Sequence, residues 1–454
     1  MTLPNKTFRY YYWLTTEFIK KNLKLILLTF FLTFVAVICL VSLYPFLEST
    51  FIVKKQIIGI SGKYDFKNIP DEISNKISNG LIYIKNDGSV IPALASSWEM
   101  KNDGKEFLIH LKQNLIWNNG KKFTAKDINY QFNDVTVKII DDYTLSFFLK
   151  NALPIFITYL NKPVMGRPLI GVGGLYRTGK VSFKNVAFKE LYLLPNKTGL
   201  PVIIYKFYNN DEELVSAYKI GEINQFSLSK KTIINPFYSW KNSQVTTTVD
   251  YTRLLTLFFN FKNQLLKDKD IRSAIRMAIN MNELKDFGQP ANGPIPPISW
   301  AYNSNIKPAV YDLDTAKKII TNTIPATQSA QLALSSYYEY SDLSDLLANQ
   351  LKSIGLNIGV SYLTQGLGEN FDLLLAYWKI PEDPDQYYFW HSAQKETNIG
   401  NYVNLKIDRL LELGRNTYLI KERAKVYQEY QKTITEDPPA LFLFYPYVYT
   451  VTRK

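Results

Sequence analysis

The distribution of apolar positions divides the chain into two unequal parts. Between Leu25 and Leu47 there is no charged residue, and the run from Leu25 to Tyr44 is apolar almost without interruption. About 20 such residues cross a bilayer as a helix. Beyond it the pattern breaks into short alternating stretches separated by turn residues. Strands are predicted at 81–85 and 90–91 around Asn86-Asp87-Gly88-Ser89, where Asp-Gly supplies the backbone of a hairpin turn. A strand is predicted at 106–112, followed by a turn at Asn118-Asn119-Gly120. Thr124 with Asp127 forms a capping-box pattern that opens a helix over 125–132. A second hairpin pairs 135–140 with 143–149. Val202–Tyr208 reads as a strand feeding a helix capped by Asn210 and stopped by Gly221, and 254–261 as a buried strand. Ile271, Ala274, Ile275 and Ala278 recur at helical spacing within 269–280.

After the Pro- and Gly-rich stretch 289–297, helix and strand alternate. Helices are predicted at 314–322 and 342–354, and strands at 331–336, 356–363 and 371–377. Helices at 406–415 and 421–436 and a strand at 440–444 complete the chain. An α+β opening followed by an alternating segment reads as separate lobes.

Charge orients the apolar segment. Lys6, Arg9, Lys20, Lys21 and Lys24 stand before it against Glu17 alone, which holds the N-terminus in the cytoplasm by the positive-inside rule. A cleavable signal has a shorter core followed by small residues, whereas Leu43, Tyr44, Pro45 and Phe46 follow here. Ile38 before Cys39 departs from a lipidation signal. The segment 25–47 is therefore expected to be an uncleaved single-pass anchor, with 1–24 cytoplasmic and the rest extracellular or periplasmic.

Of 454 residues, 53 are Lys or Arg and 40 Asp or Glu, a net charge of +13. The lysines are interspersed with acids, as in Lys267-Asp268-Lys269-Asp270, which describes a solvated surface and argues against nucleic acid as a partner. Cys39, the single cysteine, lies in the apolar span and offers neither a disulfide nor an external nucleophile. Two histidines, His110 and His391, leave little for a metal site or a serine hydrolase, and no Gly-x-Ser-x-Gly or Walker sequence occurs. His110 falls in a strand and is expected on its surface side. Neither an enzyme nor a bound cofactor is expected. The composition favours a pocket: Tyr377-Trp378 and Tyr387-Tyr388-Phe389-Trp390 bracket Glu382, Asp383 and Asp385. The same rings serve equally well as core.

Several segments together resemble one family. They are Val90-Ile91-Pro92-Ala93-Leu94-Ala95-Ser96-Ser97-Trp98-Glu99, Asp103-Gly104-Lys105, and Trp117-Asn118-Asn119-Gly120-Lys121-Lys122-Phe123-Thr124-Ala125-Lys126-Asp127. Residues 171–176 with Gly173, Asn260-Phe261, Ile271-Arg272-Ser273-Ala274-Ile275, Gly293-Pro294-Ile295-Pro296-Pro297, Asp383-Pro384-Asp385 and Glu422-Arg423-Ala424 follow in order. From about residue 55 onward the chain resembles the family 5 extracellular solute-binding proteins, the peptide-binding components of ABC importers.

The resemblance implies an α/β fold of the type II periplasmic-binding-protein kind, two lobes around a cleft. Lobe I would cover 48–260 with a subdomain at 80–160, lobe II 261–430, and 431–454 would return to lobe I. It implies a peptide ligand delivered to an ABC permease driven by ATPase subunits. The ligand-binding candidates are Gly173, Asn260, Tyr377, Trp378, Ile380, Glu382, Asp383, Asp385 and Tyr387. Three departures accompany it. Ile380 stands three residues before Asp383, where peptide-binding members commonly place an aspartate for the ligand amine, and Glu382 is the nearest substitute. The stretch between Asn196 and Val202 is short, and the sequence stops at Lys454 where members usually continue. A rival role on the same scaffold is an extracellular peptide sensor or envelope chaperone.

Overall fold

The computed structural model describes residues 8–51, 54–324, 331–364 and 371–454. The predicted span lies within a single helix, Phe8–Phe51, of 44 residues. Within its stretch Arg9–Cys39 an 18-residue window has a mean hydropathy of 2.2, and none of that window is buried against the rest of the protein. The helix begins well before the apolar run because Glu17, Lys20 and Lys21 are helix formers, and Glu17 pairs with Lys20 one turn on at 3.6 Å.

The body is built on a 12-stranded sheet with a different strand pattern in each half. In the N-terminal half, Lys55–Ser61 runs parallel to Val202–Tyr208 along its whole length and to Gln225–Leu228. An antiparallel meander, Ala187–Pro195 and Tyr176–Lys184, extends it outward. In the C-terminal half, Gln331–Tyr337 lies parallel to both Asn357–Leu363 and Leu373–Lys379. Leu373–Lys379 pairs antiparallel with Arg253–Phe259, six of whose seven residues are buried. Such a strand, covered on both faces, reads as a continuous apolar run.

One strand belongs to both halves. Ala440–Arg453 pairs with Arg253–Phe259 through its first residues and with Gln225–Leu228 and Ser243–Val249 through its last. The chain passes between the halves at 250–252 and again at 445–447. The two passages run in opposite directions, tied by the Asp250 N–H donating to the Pro446 carbonyl at 2.9 Å.

A small subdomain projects from the N-terminal half. It contains the hairpin Ile82–Ile84 with Val90–Pro92 and a four-stranded antiparallel sheet, Ala95–Lys101, Glu106–Leu111, Thr144–Leu149 and Val135–Asp141. Glu106–Leu111 buries Phe107, Ile109 and Leu111 while Glu106, Leu108 and His110 stay half-exposed, so His110 takes the surface side as its alternation predicts.

Three local expectations change. The capping box at Thr124 and Asp127 is present, but it opens only a 3-10 turn, Ala125–Asp127, in place of a helix over 125–132. Ile128, Tyr130 and Phe132 all pack on the subdomain core, which requires a spacing of two. The Tyr130 hydroxyl also bonds the Leu160 and Lys162 carbonyls. The meander Tyr176–Lys184 and Ala187–Pro195 has no counterpart in the predicted elements, because Lys180, Lys184, Lys189 and Glu190 dilute its alternation. The last strand runs on to Arg453. Pro446 ordinarily ends a strand, but here it sits where the strand changes partners and its carbonyl still accepts a bond.

Candidate functional site

The parallel strands of the C-terminal half end toward the other half, the usual location of ligand sites in such sheets. Leu373–Lys379 ends there and leads through Ile380, Pro381 and Glu382 into Asp383-Pro384-Asp385, then the short helix Tyr387–Trp390. Asp385 closes this turn by accepting the Tyr387 N–H at 3.1 Å, and Asp383 accepts the Asp385 N–H at 3.0 Å.

Two helices behind the turn neutralise both aspartates. Arg423, on Ile420–Glu436, grips Asp383 with two nitrogens at 2.7 and 2.5 Å and donates its Nε to the Gly414 carbonyl at 2.8 Å. Arg415, on Leu405–Asn416, donates to Asp385 at 2.8 Å and lies over the rings of Tyr387 and Tyr388. The side chains of Asp385 and Arg423 are 3% and 4% exposed, so these charges are stable only as pairs.

The opposite half reaches across to the same turn. From the 3-10 turn Phe156–Asn161, the Tyr159 hydroxyl donates to Asp385 at 2.5 Å and Asn161 Nδ2 donates to Glu382 at 2.6 Å. Lys379 bonds Asp71, the first residue of helix Asp71–Ile77. Gly88, at φ +81°, lies against Trp300 so closely that a Cβ would come within 2.5 Å of the indole nitrogen.

The predicted residues separate by strand geometry. Ile380, Glu382, Asp383, Asp385 and Tyr387 share the turn. Tyr377 is half-buried between Tyr340 at 5.2 Å and the Arg253 guanidinium at 5.5 Å, and burial pushes its hydroxyl pKa up. Trp378, its neighbour, points the other way: it is buried, donates to Thr256 Oγ1 at 3.1 Å and packs on Phe389 and Trp390. Ile380 is buried, and its N–H donates to Thr252 in the first passage between the halves.

Asn260 lies beyond the far end of its strand, buried, donating to the Phe371 carbonyl at 2.7 Å. Gly173 belongs to the N-terminal half at φ +73°, its carbonyl accepting from Asn79 at 2.8 Å. His391 contacts Glu412 at 3.2 Å, while the neighbouring Ser392 hydroxyl donates to Asp408 and not to the imidazole. Among the described residues no group of three or more His, Cys, Asp or Glu is placed to hold a metal ion. Tyr159, Asn161, Arg415 and Trp300 are absent from the predicted set. Only Arg423 carried a signal, its place in Glu422-Arg423-Ala424.

Glu382 as a residue remains partly open to solvent, but its carboxylate end is partly desolvated against Asn161. That burial, together with Asp383, outweighs the Asn161 bond and raises its pKa above the ordinary 4.5. A raised carboxyl contributes stability that is fully present below 4.5 and is lost as pH rises through the raised value. Glu382→Gln keeps an acceptor for Asn161 and removes the charge. It is expected to flatten the pH dependence of the melting temperature in this range and to change stability at neutral pH by no more than about 0.5 kcal/mol. An unaltered pH profile would contradict this.

Comparison with known proteins identifies the family and the fold. A family model described as bacterial extracellular solute-binding proteins, family 5 Middle, matches residues 89–165 and 179–401. The di/tripeptide-binding protein 1 of Pseudomonas aeruginosa (strain UCBPP-PA14) is 20% identical over 462 residues, covering 85% of this chain and 86% of that protein. The oligopeptide-binding protein AppA of Bacillus subtilis (strain 168) is 25% identical over 285 residues, 54% of this chain and 51% of its own. Among solved structures, B. subtilis AppA in complex with a nonapeptide superposes with a TM-score of 0.70 at 20% identity, covering 88% of this chain and 94% of that one. NikZ from Campylobacter jejuni in complex with Ni(L-His) gives 0.72 at 22% identity, with the same coverage. The fold is that of the type II periplasmic binding proteins, two α/β lobes around a cleft.

Proposed function

The chain belongs to the bacterial extracellular solute-binding proteins of family 5, and from that membership we propose that it captures peptides between its two halves and delivers them to the permease of an ABC importer. Its apolar helix anchors it in the cell membrane with residues 1–24 in the cytoplasm, where the importer's ATPase subunits work. The body stands on the outer side. A tether of this kind keeps the receptor at high effective concentration near its permease.

The observation that carries the reading is the pair of halves that the chain crosses at 250–252 and again at 445–447, with the acidic turn of one half facing the other. Such a body works by closing, and a ligand shifts that equilibrium only by binding the closed form better than the open one. It must therefore touch both halves. An extended peptide does so through its backbone, which gives affinity that is independent of side chains. Peptide is the ligand class favoured by the names of the curated relatives. With Ile380 apolar, Glu382 is the nearest acid for a ligand ammonium, and its carboxylate has room to accept from it while keeping the Asn161 bond.

The test is a titration of the purified full chain with a peptide library, following its seven tryptophans. Trp300, wedged against Gly88, is the expected reporter of closure. A saturable shift with a subset of peptides is expected. No shift with any peptide would retire the peptide reading.

A further inference from the structure

We propose that Tyr159, Asn161 and Gly88 form a latch on the opposite half that tightens the grip on every ligand without contacting it. The consequence for affinity rests on the peptide reading above; the latch itself rests on contacts within the protein. Asp385 and Arg415 form a nearly buried pair, and the Tyr159 hydroxyl enters it in both of its roles. It donates to Asp385 at 2.5 Å and accepts from Arg415 Nη2 at 3.3 Å. Asp385, with the Tyr387 N–H on its other oxygen, then has a partner on each side. Asn161 on Glu382 repeats the arrangement one step along the turn.

Gly88 supplies a steric fit. At φ +81° it has no Cβ, and the flat indole of Trp300 occupies the space a Cβ would need. Tyr159 packs on the subdomain core and Gly88 lies in the turn of the subdomain's hairpin, so these contacts couple the subdomain to the C-terminal half. Parting the halves breaks the charge-assisted bonds of Tyr159 to Asp385 and of Asn161 to Glu382, which are stronger than neutral ones. The apparent affinity of a receptor that binds only when closed scales with the fraction closed. Loss of one such bond is therefore expected to weaken all ligands by a common factor of roughly ten.

The experiment uses the full chain in nanodiscs with Cys39→Ser and fluorophores on cysteines introduced at Lys85, in the subdomain, and Lys432, on the helix Ile420–Glu436. Both positions are exposed. Tyr159→Phe is expected to lengthen the mean distance and to weaken every binding peptide about ten-fold by the same factor. Asn161→Ala is expected to act in the same direction and serves as the second variant if Tyr159→Phe lowers the melting temperature. Unchanged distances in both variants would overturn the latch. A loss confined to some peptides at an unchanged distance would also overturn it, by making Tyr159 a ligand contact. If the wild-type chain binds no peptide while the variants still lengthen the distance, the latch stands and the peptide reading fails.

Discussion

Replacing Arg423 with alanine is expected to destabilise the body by about 3–5 kcal/mol, the cost of breaking a buried ion pair on one side. The Arg423 side chain is 4% exposed, and its guanidinium holds both oxygens of Asp383 and satisfies the Gly414 carbonyl. Without it the Asp383 charge is stranded beside Asp385, and the turn that carries Glu382 and Asp385 loses its support. Arg423→Lys retains the charge without the two-pronged geometry and should recover only part of the loss. Adding Asp383→Asn to Arg423→Ala removes the stranded charge, so the double variant should be more stable than the single one. Denaturant midpoints of the four proteins measure this. A single variant within about 0.5 kcal/mol of wild type would show that the pair holds nothing together.

The second large effect concerns location. The 454-residue chain should be recovered at 52.5 kDa in the membrane fraction and resist an alkaline wash, because a spanning helix inserts in effect irreversibly. A chain starting at residue 54 should be soluble. Since Arg9–Cys39 buries nothing against the body, that shorter chain should melt at the same temperature and bind the same peptides. Recovery of a soluble protein shortened at its N-terminus from cells making the full chain would replace the anchor with a cleaved leader.

Much of this architecture is legible in the residues, and the remainder is hidden for identifiable reasons. Val202–Tyr208 was predictable to the residue from its apolar run and flanking Asn210, and the helix expected over 269–280 from the spacing of Ile271, Ala274, Ile275 and Ala278 is present but ends two residues earlier, at Ala278. The stretch 125–132 misleads because its capping box is real while its apolar spacing of two governs the backbone. The acidic turn stands out because its carboxylates and bracketing aromatics are close along the chain. Its partners from the other half do not. Tyr159 and Asn161 lie 226 and 221 positions away from Asp385 and Glu382, in an apolar stretch with no pattern of its own. Tyr377 and Trp378 look equivalent as neighbours, yet a strand turns successive side chains to opposite faces. One meets Arg253 and the other the core.

The shared strand Ala440–Arg453 also bears on how the protein is made. It follows in sequence every strand it joins, and the sheet leans on it in both halves. While the chain is being synthesised and exported, neither half can complete its pairing, so Arg253–Phe259 and Gln225–Leu228 each wait with an unfilled edge. Open edges of this kind invite wrong partners. Until Ala440–Arg453 is made, both of these edges stay open, and pairing in the two halves is completed together in one late step.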